Sequence, residues 1–206
     1  MDDTIISQNS WYKLNLALGV THEEDTEMYD SYGAGKLSYE DWTKALMALY
    51  RKHGKANRTY ITEVLSHFEL ADGAKEAINY LKKQGYELAI VSGSFDTLVN
   101  QVANELGVTY RKGSTSLVFN ENEELVDIKT YGDEGAAKLR HLEQICKILN
   151  IPITQCACIG DGANDREMFE ATKHGMTFPD SPVSDVAWKN INSIKDLIEI
   201  FKTVPN

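Results

Sequence analysis

Beyond residue 70 two patterns alternate, and that alternation limits the fold more than any other feature of the chain. "ADGAKEAINYLKKQG" sets Leu70, Ala74, Ala77, Ile78 and Leu81 at helical spacing, with Gly85 placed to end the helix. "YELAIVS" follows as a short apolar run, the pattern of a buried strand ending at Ser92. "FDTLVNQVANELG" is again helical, with Leu98, Val99, Val102 and Leu106 on one face. "STSLVFNENEELVDIKTYG" predicts two strands about Asn120-Glu121-Asn122, a hairpin. "DEGAAKLRHLEQICKILN" predicts a helix stopped before Pro152, "QCACIGD" a strand, "NDREMFEATKHG" a helix, "GMTF" a strand and "INSIKDLIEIFKTV" a closing helix. Strands and helices in this order build an α/β core, a parallel sheet covered on both faces.

Residues 10–70 break the pattern. They hold six of the ten tyrosines and two of the three tryptophans, and show no strand alternation. "WYKLNLALG", "THEEDTEMYDSYGAG", "SYEDWTKALMALYRKHG" and "RTYITEVLSHF" predict four helices punctuated by Gly19, Gly33, Gly35 and Gly54. The expected organisation is a core of residues 1–9 and 71–206 with a helical insert at 10–70.

Charge narrows the partners. Thirty-one acids against 21 lysines and arginines leave a net charge of −10, which disfavours nucleic acid and anionic membrane surfaces. An anionic substrate would then need a local cation. Three cysteines without a disulfide framework, and no basic and apolar leader at the start, predict a cytoplasmic protein. Cys156 and Cys158 would share one face of a strand, as small core residues rather than a metal or redox pair.

Sites in open α/β sheets form beyond the carboxyl ends of strands. Ser92-Gly93-Ser94 at one such end offers a hydroxyl and backbone N–H groups, an anion cradle or an ordinary turn. Gly160-Asp161-Gly162-Ala163-Asn164-Asp165 at another puts two carboxylates on a turn. They suit a hard cation such as Mg²⁺, or cap the next helix. A calcium loop is excluded, since it would need an acid or amide at Ala163 and glycine at Arg166. Lys138, expected in the first turn of the helix feeding that strand, reads by itself as a solvated lysine; over the same crevice it would neutralise a phosphate.

In order and spacing these residues resemble a known family. Ser92 in "VSGSF", Lys138 twenty-three residues before Asp161, and "GDGAND" are similar to motifs II, III and IV of the haloacid dehalogenase superfamily. The closest resemblance is to its phosphoserine-phosphatase-like branch, in which a helical cap of the first type lies between motifs I and II. The resemblance covers the whole chain. It implies a Rossmann-like core, a cap at 10–70, Mg²⁺ as cofactor, and hydrolysis of a small phosphorylated metabolite through an aspartyl-phosphate. It further implies Asp2 as general acid/base and, through its backbone carbonyl, a metal ligand; Asp161 as metal ligand with Asp165 in support; and Ser92, the Gly93 N–H and Lys138 on the phosphate.

That family's motif I is D-x-D-x-T. Written onto "MDDT", Asp2 is the second aspartate and Thr4 the threonine. The first aspartate, the nucleophile, would precede Met1, together with the first core strand. The expectation is therefore a chain that starts inside motif I and is inactive as it stands. The alternatives are a non-catalytic relative that binds a phospho-ligand or a partner protein, and an unrelated α/β protein whose acids cap helices. Two positions argue against phosphoserine as substrate. Asn9 stands where such phosphatases place a glutamate that reads the amine, and Leu46, with Lys44 the nearest cation, where an arginine reads the carboxylate. Trp11, Tyr12, Tyr32, Tyr39 and Trp42 either pack the cap or, with Asn9 and Asn164, line a substrate pocket.

Overall fold

The computed structural model describes residues 1–54 and 56–203. Four helices come first: α1 (Ser10–Ala17), α2 (His22–Gly33), α3 (Tyr39–His53) and α4 (Arg58–Ser66). Their starts are set by side-chain caps. Asn9, Thr21, Ser38 and Asn57 each accept an N–H of the first turn, and Thr21 with Glu24 completes a capping box. Gly54 ends α3 in the left-handed region at φ 70°, which a residue without Cβ adopts freely.

The α/β part follows as α5 (Ala74–Lys83), β1 (Ala89–Phe95), α6 (Asp96–Leu106), β2 (Tyr110–Phe119), β3 (Leu125–Thr130), α7 (Glu134–Leu149), β4 (Cys158–Ile159), α8 (Arg166–Thr172), β5 (Gly175–Thr177), β6 (Lys189–Asn190) and α9 (Asp196–Lys202). The strands form two sheets of three rather than one. The first has order β1-β2-β3, with β1 and β2 parallel and β3 antiparallel; the second has order β4-β5-β6, all parallel.

Several expectations shift in detail. Leu70 is outside α5 and bridges Ile6 instead. The strand expected to stop at Ser92 runs on to Phe95, with a register break after Ser92. "QCACIGD" forms only a two-residue strand, because "GDGAND" turns at once into a 3-10 turn at Ala163–Asp165. The closing helix shortens to Asp196–Lys202, since the Ile191 N–H donates to the Thr177 carbonyl (2.8 Å) and the Asn192 N–H to the Asp196 carboxylate (2.8 Å); the Val204 of that expectation lies outside the described residues.

One apolar cluster runs from the helical part into the first sheet. It joins Leu14, Leu46 and Tyr50 to Ile90, Phe95 and Leu98, all nearly or wholly buried. Backbone bonds anchor the helices to the hairpin: Arg58 N–H donates to the Glu123 carbonyl (2.8 Å) and Leu125 N–H to that of Ala56 (2.8 Å). The chain start is tied down by Ile5 and Ile6, buried in the same cluster, and by the Ala71 N–H donating to the Ile5 carbonyl (2.8 Å). Among the described residues no helix is long and apolar enough to cross a membrane.

Candidate active site

The carboxyl ends of β1 and β4 open on one cavity of about 800 Å³, roofed by the first helices. At β1 the Ser92 hydroxyl accepts the Ser94 N–H (3.1 Å), folding the strand end into a tight turn around Gly93. A Cβ at Gly93 would lie 2.7 Å from Glu134 Oε1, so a side chain there would displace the Glu134 carboxylate.

At β4, Gly160 gives the Asp165 carboxylate room, since a Cβ there would come within 2.3 Å of it. Asp165 accepts the Gly162 N–H (3.2 Å) and the Lys138 ammonium (2.9 Å). Lys138 also donates to Asn164 Oδ1 (2.6 Å). It is 5 % exposed, so the reading of Lys138 as a solvated lysine is corrected. It is the fifth residue of α7, not in the first turn, and lies on the buried stripe with His141, Leu142 and Ile145. Among the described residues it is the only lysine or arginine lining the cavity.

The N-terminal segment closes the site. Thr4 Oγ1 donates to Asp161 Oδ1 (2.6 Å), tying it to the loop after β4. Asp2 Oδ2 accepts the Ser10 N–H (3.0 Å) and the Ser10 hydroxyl, at the positive end of α1. Ser10 Oγ meets Ser94 Oγ at 2.7 Å, so a buried hydroxyl chain links Asp2 to the β1 turn. Asp2 Oδ1 is buried without a hydrogen-bond partner. Ser10 and Ser94 escape sequence reasoning because serines 84 residues apart give no local signal of contact.

Electrostatics follow from this crowding. Asp3's carboxyl is pushed above its usual range by desolvation first, then by Asp161 and Asp2. The Met1 amine is held below its usual value by burial and then by Lys138. The structure brings Asp2, Ser92, Gly93, Lys138, Asp161, Asn164, Asn9, Trp11 and Tyr39 onto one cavity lining, with Asp165 directly behind. Sequence reasoning missed Glu134, whose Oε2 accepts the Asn164 amide (2.7 Å).

Leu46 is fully buried and Lys44 pairs on the surface with Glu40 (2.7 Å), so neither joins that lining. Trp11 packs on Phe95 and Trp42 with centroids 4.4 and 4.7 Å away; Tyr32 and Tyr39 extend the stack. The same rings therefore pack the helices and face the cavity. The cysteines lie outside the site. Cys156 precedes β4, so it does not share a strand face with Cys158; its Sγ contacts that of Cys146 at 3.4 Å, and burial pushes the Cys156 and Cys158 thiols up to about 12.

Similarity to known proteins agrees with this geometry. Residues 1–172 match the family of haloacid dehalogenase-like hydrolases. A phosphoserine phosphatase of Methanocaldococcus jannaschii is 27% identical over 98% of this chain and 94% of that protein. One from Streptomyces coelicolor is 28% identical over 89% of this chain, which spans only 43% of that longer protein. A substrate-bound phosphoserine phosphatase structure superposes with a TM-score of 0.80 at 27% identity, covering 100% of this chain and 95% of that one. With the Ser92-Gly93 turn, a buried lysine and an acidic turn meeting in one crevice, and with the family match covering them all, the chain belongs to the haloacid dehalogenase-like hydrolases, on their phosphoserine-phosphatase-like branch.

Proposed function

We propose that this hydrolase is a Mg²⁺-dependent phosphatase of small phosphomonoesters other than phosphoserine. The observation that carries the reading is the convergence of Ser92, Gly93, Lys138 and Asp161 on one cavity beneath the helices. Ser92 and the Gly93 N–H hold a phosphate oxygen, and Lys138 supplies the cation that an acidic protein needs there. Asn164 and Asp165 fix the ammonium. Asp2 is the general acid/base: Ser10 holds one carboxylate oxygen and leaves Oδ1 to exchange a proton with the leaving oxygen or with water.

The donor set fits Mg²⁺. Asp161 and the Asp2 carbonyl would hold it, with Asp165 in support, and it would supply positive charge to phosphoryl oxygens in the transition state. Burial first, and then Asp161 and Asp2, raise the Asp3 carboxyl beside this donor set.

Phosphoserine is disfavoured because Leu46 and Lys44 leave its carboxylate without a cation. The helical part at 10–70 serves as the cap that keeps water from the site. The chain is expected to bind phosphomonoesters with Mg²⁺. Calorimetric titration with inorganic phosphate, with and without Mg²⁺, tests the reading. Mg²⁺-dependent binding lost in Asp161→Asn supports it, and equal binding without the ion argues against it.

A further inference from the structure

We propose that the substrate's leaving group carries an ammonium and no carboxylate, so that the substrate is a phosphorylated amino alcohol. This rests on the phosphatase reading and adds the class of leaving group. Above the phosphate cradle the cavity is bounded by six rings: Trp11, Tyr12, Tyr29, Tyr32, Tyr39 and Trp42. Three carboxylates stand among them, Asp25 from α2 and Asp133 and Glu134 from the start of α7. None of the three is ion-paired among the described residues. The only lysine or arginine on the lining, Lys138, is buried at the phosphate end and bonded to Asn164 and Asp165.

Two of these acids are held in place by other side chains. Asp25 accepts the amide of Asn15 (2.6 Å), and Asn15 in turn accepts the Tyr50 hydroxyl. Asn15 and Tyr50 are both 0 % exposed, so a buried polar pair aims this carboxylate at the cavity. Glu134 is fixed by Asn164 (2.7 Å) and stands beside the buried Tyr39 hydroxyl. Negative charge next to the Tyr32 and Tyr39 rings is visible in both phenols, held up by burial first and by Glu134 second.

Acids alone beside a phosphate dianion would repel it. An ammonium between them and the ring faces restores balance, through ion pairing and cation–π attraction. A carboxylate on the leaving group would meet Asp25 and Glu134, with no lysine or arginine on that lining, among the described residues, but Lys138 at the phosphate end.

The test uses the 206-residue chain with Mg²⁺, titrated calorimetrically with phosphoethanolamine, n-propyl phosphate (similar length, no charge) and phosphoserine. Phosphoethanolamine is expected to bind about tenfold more tightly than propyl phosphate, and phosphoserine more weakly than phosphoethanolamine. In Asp25→Asn and Glu134→Gln, checked as folded by circular dichroism, the preference for phosphoethanolamine over propyl phosphate should shrink. Equal binding of the charged and neutral esters overturns the inference and leaves the phosphatase reading standing. So does tightest binding of phosphoserine, or a preference unchanged in both variants. Failure of the folded chain to bind any of the three overturns the phosphatase reading, and this inference with it.

Discussion

At the scale of single residues, the site depends on buried charges that are paired. Lys138 and Asp165 have side chains only 6% exposed each and lie 2.9 Å apart. Lys138→Met would leave the carboxylate uncompensated, and urea unfolding should show a loss of about 3–5 kcal/mol. Gly160→Ala would drive a methyl into that carboxylate, 2.3 Å from the ideal Cβ, and should cost about 1–3 kcal/mol by the same assay. His141 is 9% exposed, and its Nδ1 is buried without a partner. Burial first, then Lys112 and Arg140, hold its pKa below the usual histidine value. The unfolded chain therefore binds a proton that the folded one refuses, so this group favours folding above the ordinary histidine pKa. That contribution is lost as pH falls from the ordinary value through the folded one. Melting temperatures of His141→Gln should drop less than the parent's over that acidic range; identical slopes would remove this group from the account. Lys138's burial was open to discovery in the sequence, because it shares a helical stripe with Leu142 and Ile145. The Asp2–Ser10–Ser94 chain was not, because its contacts join residues far apart along the chain.

At the scale of elements, caps and periodicity made the helices legible. α3 starts at Ser38, whose hydroxyl accepts the Asp41 N–H (3.1 Å), and ends at Gly54; both signals are local. Its inner face carries Trp42 and Leu46 into the shared cluster, so Trp42→Ala should cost about 3–5 kcal/mol and loosen the cavity roof. The strands were less legible where they are short. β4 and β6 have two residues each, too few for a pattern, and β6 is recognised only through its pairing with β5. Pairing length also predicts dynamics. β1 meets β2 at five registered positions and β4 meets β5 at two, so amides of β4 and β5 should exchange with solvent well before those of β1 and β2. Native-state hydrogen exchange would show it directly.

At the scale of the whole molecule, the alternation after residue 70 pointed to an α/β core, and the aromatic stretch before it to a helical insert. The sequence did not reveal that the strands divide into two sheets. Nor did it reveal that helices and first sheet share one apolar cluster, because each needs the partner's position rather than its own pattern. That shared cluster holds the rings over the Ser92-Gly93 turn, and so connects the packing to the proposed chemistry. The central claim is that the crevice between β1 and β4 binds a phosphate group with Mg²⁺. The most direct measurement is calorimetric binding of inorganic phosphate to the 206-residue chain with Mg²⁺ present and absent, repeated in Asp161→Asn. The account predicts binding that requires Mg²⁺ and is lost in the variant. Phosphate binding that is indifferent to both the ion and Asp161, or no binding by a chain shown to be folded, would contradict it.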